Sequence, residues 1–139
     1  MSIYDTNSKE YQEWEKTLPE SSRKWNLLWK LWVDWELESP IFELMTYDAE
    51  VHNGGHDQYF ANTEEFTDLE AHVEKVLSVL PPHLAENLKR IYQAYIAMEQ
   101  GDYDEHEYTD LTTKCDMLYY DNSEIINQIL QERADKLTL

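Results

Sequence analysis

The stretch Glu50–Asn62, EVHNGGHDQYFAN, places two adjacent glycines between two segments that each have the apolar spacing of a helix. Asn and Gly tolerate positive φ angles better than other residues, so Asn53-Gly54-Gly55 can end one helix and begin the next within three residues. We therefore predict a sharp joint between two helices at this point, with at least one of the three residues at positive φ.

The residues after the joint predict how its two sides are held. Gln58 and Asn62 are four residues apart and therefore share one face of the following helix, whereas Tyr59 and Phe60 supply its apolar contacts. Amides at a helix junction can satisfy the free carbonyl groups at the end of the preceding helix. We expect the two amides to bond those carbonyls.

The remainder of the chain repeats the helical pattern. Only three glycines and four prolines occur in 139 residues, and no run alternates apolar and polar residues as a β-strand does. Apolar residues spaced three and four positions apart predict about six to eight helices. We expect a single compact all-α domain over residues 1–139, with residues 1–7 flexible.

A helix from Ser21 or Ser22 to about Glu38 is rich in tryptophan. The apolar residues on one of its faces are Trp25, Leu28, Trp29, Trp32 and Trp35. This wide apolar arc predicts either a central core helix or a helix that also contributes to a dimer interface. The next helix is predicted to begin with Ser39 as its N-cap and Pro40 in its first position.

Charge is the most extreme property of the sequence. The chain carries 29 acidic and 11 basic residues, a formal net charge of −18. Residues 31–74 contain twelve acidic residues and no Lys or Arg, and residues 99–124 contain nine acidic residues with Lys114 as the one base. Such a field repels nucleic acids, polyphosphates and anionic membranes and attracts basic protein surfaces. The alternative is a structural domain whose charge only maintains solubility.

The sequence also predicts where the protein resides. Its first ten residues lack the basic and apolar regions of a signal peptide, and no run of about 18 apolar residues occurs. The single cysteine, Cys115, cannot form an intrachain disulfide, which is typical of a reducing compartment. We expect a cytoplasmic protein in which Cys115 fills space in the core.

The residues around the joint give little support for a metal or phosphate site. His52 and His56 have the i, i+4 spacing of a helical zinc pair, but the glycines between them interrupt the helix that such a pair requires. Gly54-Gly55 lacks the lysine and the preceding strand of a phosphate-binding loop. No nucleophile motif occurs. We therefore predict no catalytic residues, no metal and no cofactor.

An enzyme is the less favoured alternative. A helical wheel of residues 41–52 places Asp48 and His52 near the centre of the apolar arc, which predicts a pair beneath the joint. Together with the two amides, this pair would line a cleft formed by Asp48, His52, Gln58 and Asn62.

The joint also resembles a known family. The pattern E-x-x-N-G-G-x-x-Q-Y-F-x-N is carried by Glu50, Asn53, Gly54, Gly55, Gln58, Tyr59, Phe60 and Asn62. It is similar to a motif of a bacterial family of DNA-mimic proteins, long catalogued as a domain of unknown function, and the likeness spans roughly Trp25 to Met98. The chain departs from that pattern at His56, where an aromatic residue often stands, and at Thr63-Glu64, where Ser-Gly often stands. The resemblance implies an all-α fold and, as in a dimeric member of the family, binding to the DNA-binding surface of another protein.

The base-free segment and the resemblance together predict a non-enzymatic binding protein. We expect it to present carboxylates to a basic DNA-binding protein or, in a close variant, to a nuclease toxin for which it is the immunity protein. The predicted acidic binding surface consists of Glu36, Glu38, Glu43, Glu50, Glu64, Glu65, Asp68 and Glu70. We expect no direct contact with nucleic acid or membrane, and we expect a homodimer.

Overall fold

The computed structural model describes residues 8–139, and these residues are helical almost throughout. The helices are α1 (Lys9–Glu15), α2 (Glu20–Val33), α3 (Ile41–Phe66), α4 (Leu69–Leu77), α5 (Pro82–Glu99), α6 (Glu105–Asp121) and α7 (Ser123–Asp135). The predicted all-α class is confirmed, and seven helices lie within the predicted range. The flexibility predicted for residues 1–7 lies outside the described residues. None of the helices described is both long and apolar enough to cross a membrane.

The helices belong to two compact units. The first unit comprises Met1–Leu37 and Ile129–Leu139, and the second comprises Glu38–Gln128. Helices α1 and α2 lie in the first unit and α3 to α6 lie in the second, while the boundary at residue 129 falls within α7.

In the first unit, the tryptophan-rich helix is shorter than predicted. Helix α2 ends at Val33 because Trp35 adopts a left-handed conformation with φ of 61°, and the N–H of Glu36 bonds back to the carbonyl of Leu31. Trp35 is 76% exposed and Trp29 is 49% exposed. Leu28 is the one buried residue of α2. The prediction of a central core helix is therefore wrong for α2.

In the second unit, α3 is the central helix, and α4, α5 and α6 all pack against it. The fully buried side chains of α3 include Leu44, Tyr47, Val51, Tyr59 and Phe60, and those of the surrounding helices include Val76, Leu84, Leu88, Ile91 and Tyr119. Burying each such side chain contributes on the order of 1.5–3 kcal/mol. Cys115 is also buried, as predicted, and its burial raises the pKa of the thiol.

Helix α3 begins differently from the prediction. Its first residue is Ile41 and its N-cap is Pro40, so the assignment of Ser39 as the N-cap is wrong. The Ser39 hydroxyl instead donates a hydrogen bond to the carboxylate of Glu43, one turn into the helix. The side chain that was expected to cap the backbone therefore helps to hold a carboxylate.

A buried hydrogen bond joins α3 to α4. The Tyr59 hydroxyl lies 2.6 Å from Nδ1 of His72, and both residues are buried. Burial lowers the pKa of His72 below its usual 6.5; the Glu43 carboxylate opposes this shift and the Lys75 ammonium adds to it. The neutral ring accepts a hydrogen bond from the Tyr59 hydroxyl, which keeps its proton because burial raises its pKa.

This lowered pKa predicts a loss of stability in acid. The unfolded chain binds the His72 proton at a higher pH than the folded chain, so the free energy of unfolding falls as the pH drops from about 7 to about 5. His72→Asn retains an acceptor near Nδ1 and removes the titration. In chemical denaturation at both pH values, the wild type should therefore lose more stability than the variant. If the wild type and the variant lose the same free energy of unfolding, the acid-induced loss of stability does not come from His72.

Candidate functional site at the helix joint and the acidic unit

Helix α3 is interrupted at the two glycines. Gly54 has φ of −157° and ψ of 15°, and Gly55 has φ of 82° and ψ of −178°. The interruption occurs where the sequence predicts the joint, and Gly55 supplies the positive φ. This region of the backbone map is nearly restricted to glycine, since a Cβ atom there clashes with the backbone.

Gly55 is also constrained by a neighbouring side chain. A Cβ atom at this position would lie 2.3 Å from Oδ2 of Asp116, which reaches the joint from α6. A Cβ atom at Gly54 would lie 2.0 Å from Oε1 of Gln58, which is the mobile end of a flexible side chain. The second glycine is therefore the more stringent requirement, because it combines a restricted backbone conformation with the approach of a fixed carboxylate.

Asp116 fixes the start of the helix beyond the joint. Its Oδ1 accepts the backbone N–H of His56 at 2.9 Å and lies 2.6 Å from Nδ1 of the same residue. On the other side of the ring, Nε2 lies 2.7 Å from the hydroxyl of Tyr47. A carboxylate oxygen only accepts, so Nδ1 carries a proton and donates it in the hydrogen bond to Asp116. His56 and Tyr47 are fully buried.

This buried chain of hydrogen bonds links both halves of α3 to α6. Sequence reasoning missed it, because Asp116 is 60 residues from His56. The one signal for it in the sequence is the position of Asp116, next to buried Cys115 and one turn from buried Tyr119, where an acid needs a partner inside the protein.

The amides after the joint bind a carboxylate. Gln58 and Asn62 each donate from their side-chain nitrogen to Oε2 of Glu50, both at 2.9 Å. The prediction that they bond free carbonyl groups is wrong, since Glu50 lies on the preceding half of α3 and offers a charged acceptor, which makes stronger hydrogen bonds. Two carboxylates therefore stabilise the joint: Asp116 binds the start of the second half of α3, and Glu50 on the first half binds Gln58 and Asn62 on the second. Among the other motif residues, Tyr59 and Phe60 are buried in the core and Asn53 is exposed.

The alternative catalytic cleft is divided between two groups of residues. His52 Nδ1 lies 3.1 Å from Oδ1 of Asp48, and Asp48 also accepts a hydrogen bond from the Tyr119 hydroxyl. The His52 side chain is 43% exposed, so the prediction of a pair beneath the joint is wrong for His52. The amides of Gln58 and Asn62 belong to Glu50 instead. Within residues 8–139, no group of three or more His, Cys, Asp or Glu side chains is arranged to hold a metal ion.

The net charge is divided unequally between the two units. The second unit contains 20 acidic and four basic residues, a formal charge of −16. The first unit contains nine acidic and seven basic residues, a formal charge of −2. The unit that contains the joint therefore carries almost all of the chain's excess negative charge.

Two of the predicted surface carboxylates are not available for binding. Glu43 is only 5% exposed, because it accepts the Ser39 hydrogen bond and lies 3.7 Å from the Lys75 ammonium. Glu50 is half-buried and occupied by the amides at the joint. The expectation that both are exposed is wrong. The remaining predicted residues are exposed: Glu36, Glu38, Glu64, Glu65, Asp68 and Glu70.

Several exposed carboxylates lie close to Tyr92 and Tyr95, two tyrosines of α5. Burial, followed by the charges of Glu70, Asp68, Glu74 and Glu64, raises the pKa of Tyr92. Burial and hydrogen bonds with Glu99 and Glu64 raise the pKa of Tyr95, whose hydroxyl donates to Glu64 at 2.9 Å. We call the five acids around these tyrosines the acidic cluster: Glu64, Asp68, Glu70, Glu74 and Glu99.

The acidic cluster has no cationic partner among the described residues. In this part of the chain, the lysine ion pairs of the second unit join Lys75 to Glu43 and Lys89 to Glu86. The carboxylates around the two tyrosine hydroxyls all carry negative charge, and no lysine in the described residues forms an ion pair with any of them. The cluster therefore produces a local negative field on the surface.

The comparison with protein families agrees with this charge distribution. Residues 36–136 match the family model described as DMP19-like protein, which is 101 of the 139 residues. The chain belongs to the DMP19-like protein family. This is a family of DNA-mimic proteins. No curated protein and no solved structure gives a significant match.

The DMP19-like match includes the whole second unit, Glu38–Gln128. The joint, the Tyr47–His56–Asp116 chain and the acidic cluster all lie within it. By contrast, residues 8–35, which contain α1 and α2, lie outside the matched range.

Comparing alanine substitutions at two glycines of this DMP19-like chain, Gly55 and Gly101, tests whether Gly55 is required for the stability of the joint. Gly101 also has positive φ, of 79°, but a Cβ atom there would meet no atom within 4 Å. Gly101→Ala should therefore cost only the backbone strain, about 1 kcal/mol of the free energy of unfolding. Gly55→Ala should cost more than roughly 2 kcal/mol, because its φ of 82° and ψ of −178° lie in a backbone region nearly restricted to glycine and because the new Cβ also displaces Asp116 from His56.

Chemical denaturation of both variants measures this difference directly. A cost for Gly55→Ala equal to that of Gly101→Ala would show that the contact with Asp116 does not stabilise the joint. A further check is the amide proton of His56, whose exchange with solvent should accelerate in Gly55→Ala and remain slow in Gly101→Ala.

Proposed function

We propose that this protein is an acidic, non-enzymatic binding protein whose second unit occupies the basic, nucleic-acid-binding surface of another protein. The observation that carries the proposal is the concentration of charge, since Glu38–Gln128 has a formal charge of −16 within a chain of −18. A charge needed only for solubility has no reason to be concentrated in one unit. A surface that imitates a polyanion requires it.

The acidic cluster is the proposed centre of the binding surface. Its carboxylates come from the end of α3, the corner before α4, α4 itself and the end of α5. An exposed ion pair contributes only about 0–1 kcal/mol, so useful affinity requires many carboxylates acting together. Exposed Glu65 next to the cluster, together with Asp57, extends the acidic surface along the second half of α3.

The joint supports this surface by fixing the direction of the second half of α3. Glu64 and Glu65 lie on that half, and its start is held by Asp116 while Glu50 binds its amides. Carboxylates on a rigid helix lose less conformational entropy on binding than carboxylates on a loose segment. In this proposal, the polar residues of the motif position the acids and do not contact the partner.

Family membership supports the same class of function, because DNA mimics are generally non-enzymatic. The arrangement most like a catalytic group, Tyr47–His56–Asp116, contains a fully buried histidine and a fully buried tyrosine, so no substrate reaches either. This supports a structural role for the histidine that distinguishes the joint.

The first test is the salt dependence of partner capture. The partner is to be sought in the cytoplasm, in keeping with the buried free thiol of Cys115. The protein should capture a basic protein at about 0.1 M salt and lose it near 1 M, because the Debye length shrinks from ~10 Å to ~3 Å. A quadruple neutralisation should weaken the complex about 10-fold or more while preserving the fold. It consists of Glu64→Gln, Glu65→Gln, Asp68→Asn and Glu70→Gln.

A control with the same change in net charge is available in the first unit. It consists of Glu10→Gln, Glu13→Gln, Glu20→Gln and Glu132→Gln, all at exposed positions. The control should bind the partner as the wild type does. Equal weakening by both quadruple variants would mean that net charge alone matters, as for a solubility role. A partner retained at about 1 M salt, or bound through a surface that is not basic, would also contradict the proposal. A captured nuclease would identify an immunity protein.

The second test concerns the homodimer, which remains part of the proposal. Its support is the exposed apolar surface of the first unit, where Trp14, Trp29 and Trp35 are all substantially exposed. Sedimentation at micromolar concentration and about 0.15 M salt should give a species of twice 16.7 kDa. Trp29→Ser should shift the equilibrium towards the monomer. A single species near 16.7 kDa in the wild type would rule the dimer out.

A further inference from the structure

The first unit contains a pocket whose charge is opposite to that of the protein. The pocket has a volume of about 360 Å³ and is lined mainly by residues of α1 and α2. Three of its lining residues are basic: Lys16, Arg23 and Lys30. They are three of only 11 basic residues in the chain, so their convergence on one pocket is a distinct feature of this unit.

The three cations have no carboxylate partner in the described residues. Elsewhere in the unit, Lys9 pairs with Glu13 and Lys24 pairs with Glu20. Within residues 8–139, no ion pair involves any of the three pocket cations. The Nε atom of Arg23 is buried and has no hydrogen-bond partner. A buried guanidinium donor without an acceptor is unfavourable, so the positive charge of the Arg23 side chain is not compensated by hydrogen bonding at this atom within the fold.

The rest of the pocket is of mixed character. Leu27 and Leu139 add apolar surface, and the amide of Asn26 adds a neutral donor and acceptor. Glu15 is the one acidic side chain in the lining, and it interacts with Tyr11: burial and then a hydrogen bond with Glu15 raise the pKa of the Tyr11 hydroxyl. The pocket therefore offers cations, an amide and an apolar wall, in the size range of small-molecule sites.

We propose that this pocket binds a small organic anion, with a carboxylate or phosphate head on an apolar body. The head would be held by Arg23, whose planar guanidinium matches the paired oxygens of both groups, with Lys16 and Lys30 as additional charges. The apolar body would lie against Leu27 and Leu139. This site is separate from the acidic cluster and independent of the function proposed for the second unit.

Titrations of the full-length protein followed by ¹⁵N–¹H NMR test the site. The probes are phenyl phosphate, hexanoate and, as a neutral match for the first, benzyl alcohol. At least one of the two anions should give saturable shifts of the amides of Arg23, Asn26 and Leu27, and the neutral alcohol should not. Comparing phenyl phosphate with hexanoate distinguishes a phosphate head from a carboxylate head. Inorganic phosphate alone should bind more weakly than phenyl phosphate, because it lacks the apolar body.

Matched variants distinguish binding in the pocket from a general effect of the protein's net charge on anion binding. Arg23→Met removes the central cation and should weaken binding of the anion about 10-fold or more. Lys9→Met changes the net charge equally at a side chain that is 87% exposed, and should leave binding unchanged. If Arg23→Met does not fold, Lys30→Met replaces it as the pocket variant, because Lys30 lines the pocket and is exposed. It should also weaken binding of the anion.

Three outcomes would overturn the proposal. The first is the absence of saturable shifts with either anion at millimolar concentration. The second is equal binding of benzyl alcohol, which would make the pocket a merely apolar cleft. The third is equal weakening by Lys9→Met and by the pocket variants, which would reduce the effect to a change in overall charge.

Discussion

The carboxylate of Asp116 accepts hydrogen bonds from the backbone N–H and from the ring of His56, at the point where α3 resumes after its two glycines. The first N–H groups of a helical segment have no partner within the helix, and their partial positive charge favours an anion. Asp116 satisfies both requirements, and its close approach is compatible only with a residue that lacks Cβ at position 55. The glycine, the histidine and a carboxylate 60 residues away therefore form one unit of structure.

The same charge performs two different tasks in the second unit. Some carboxylates are used inside the fold: Asp116 caps a helix, Glu50 binds two amides, and Glu43 pairs with Lys75. The acidic cluster is left on the surface, and none of its carboxylates forms an ion pair with a cation among the described residues. Concentrated like charge destabilises a compact state through repulsion. A tightly hydrogen-bonded core around α3 offsets this repulsion, which is consistent with a rigid support for an acidic surface.

The two units differ in composition as well as in charge. The first unit has nearly balanced charge, exposed tryptophans and a basic pocket, whereas the second has the family match, the joint and the excess of acids. Residues 8–35 lie outside the matched range, so the family match covers the joint and the acidic cluster but not helices α1 and α2, which line most of the pocket.

The sequence by itself determined the helical class, the position of the joint and the sign of the surface charge. These follow from local rules: helical spacing, the scarcity of Gly and Pro, the conformational freedom of adjacent glycines, and residue counts. Tertiary structure alone decided which carboxylates are exposed. Glu43 lies opposite the apolar arc on a helical wheel, yet it is buried, and it accepts a hydrogen bond from Ser39 and lies 3.7 Å from Lys75 of α4. The pairing of His56 with Asp116, 60 residues away, was likewise decided outside the local pattern. A helical wheel describes one helix in isolation, and the partners of a polar side chain come from segments that only the folded chain brings together.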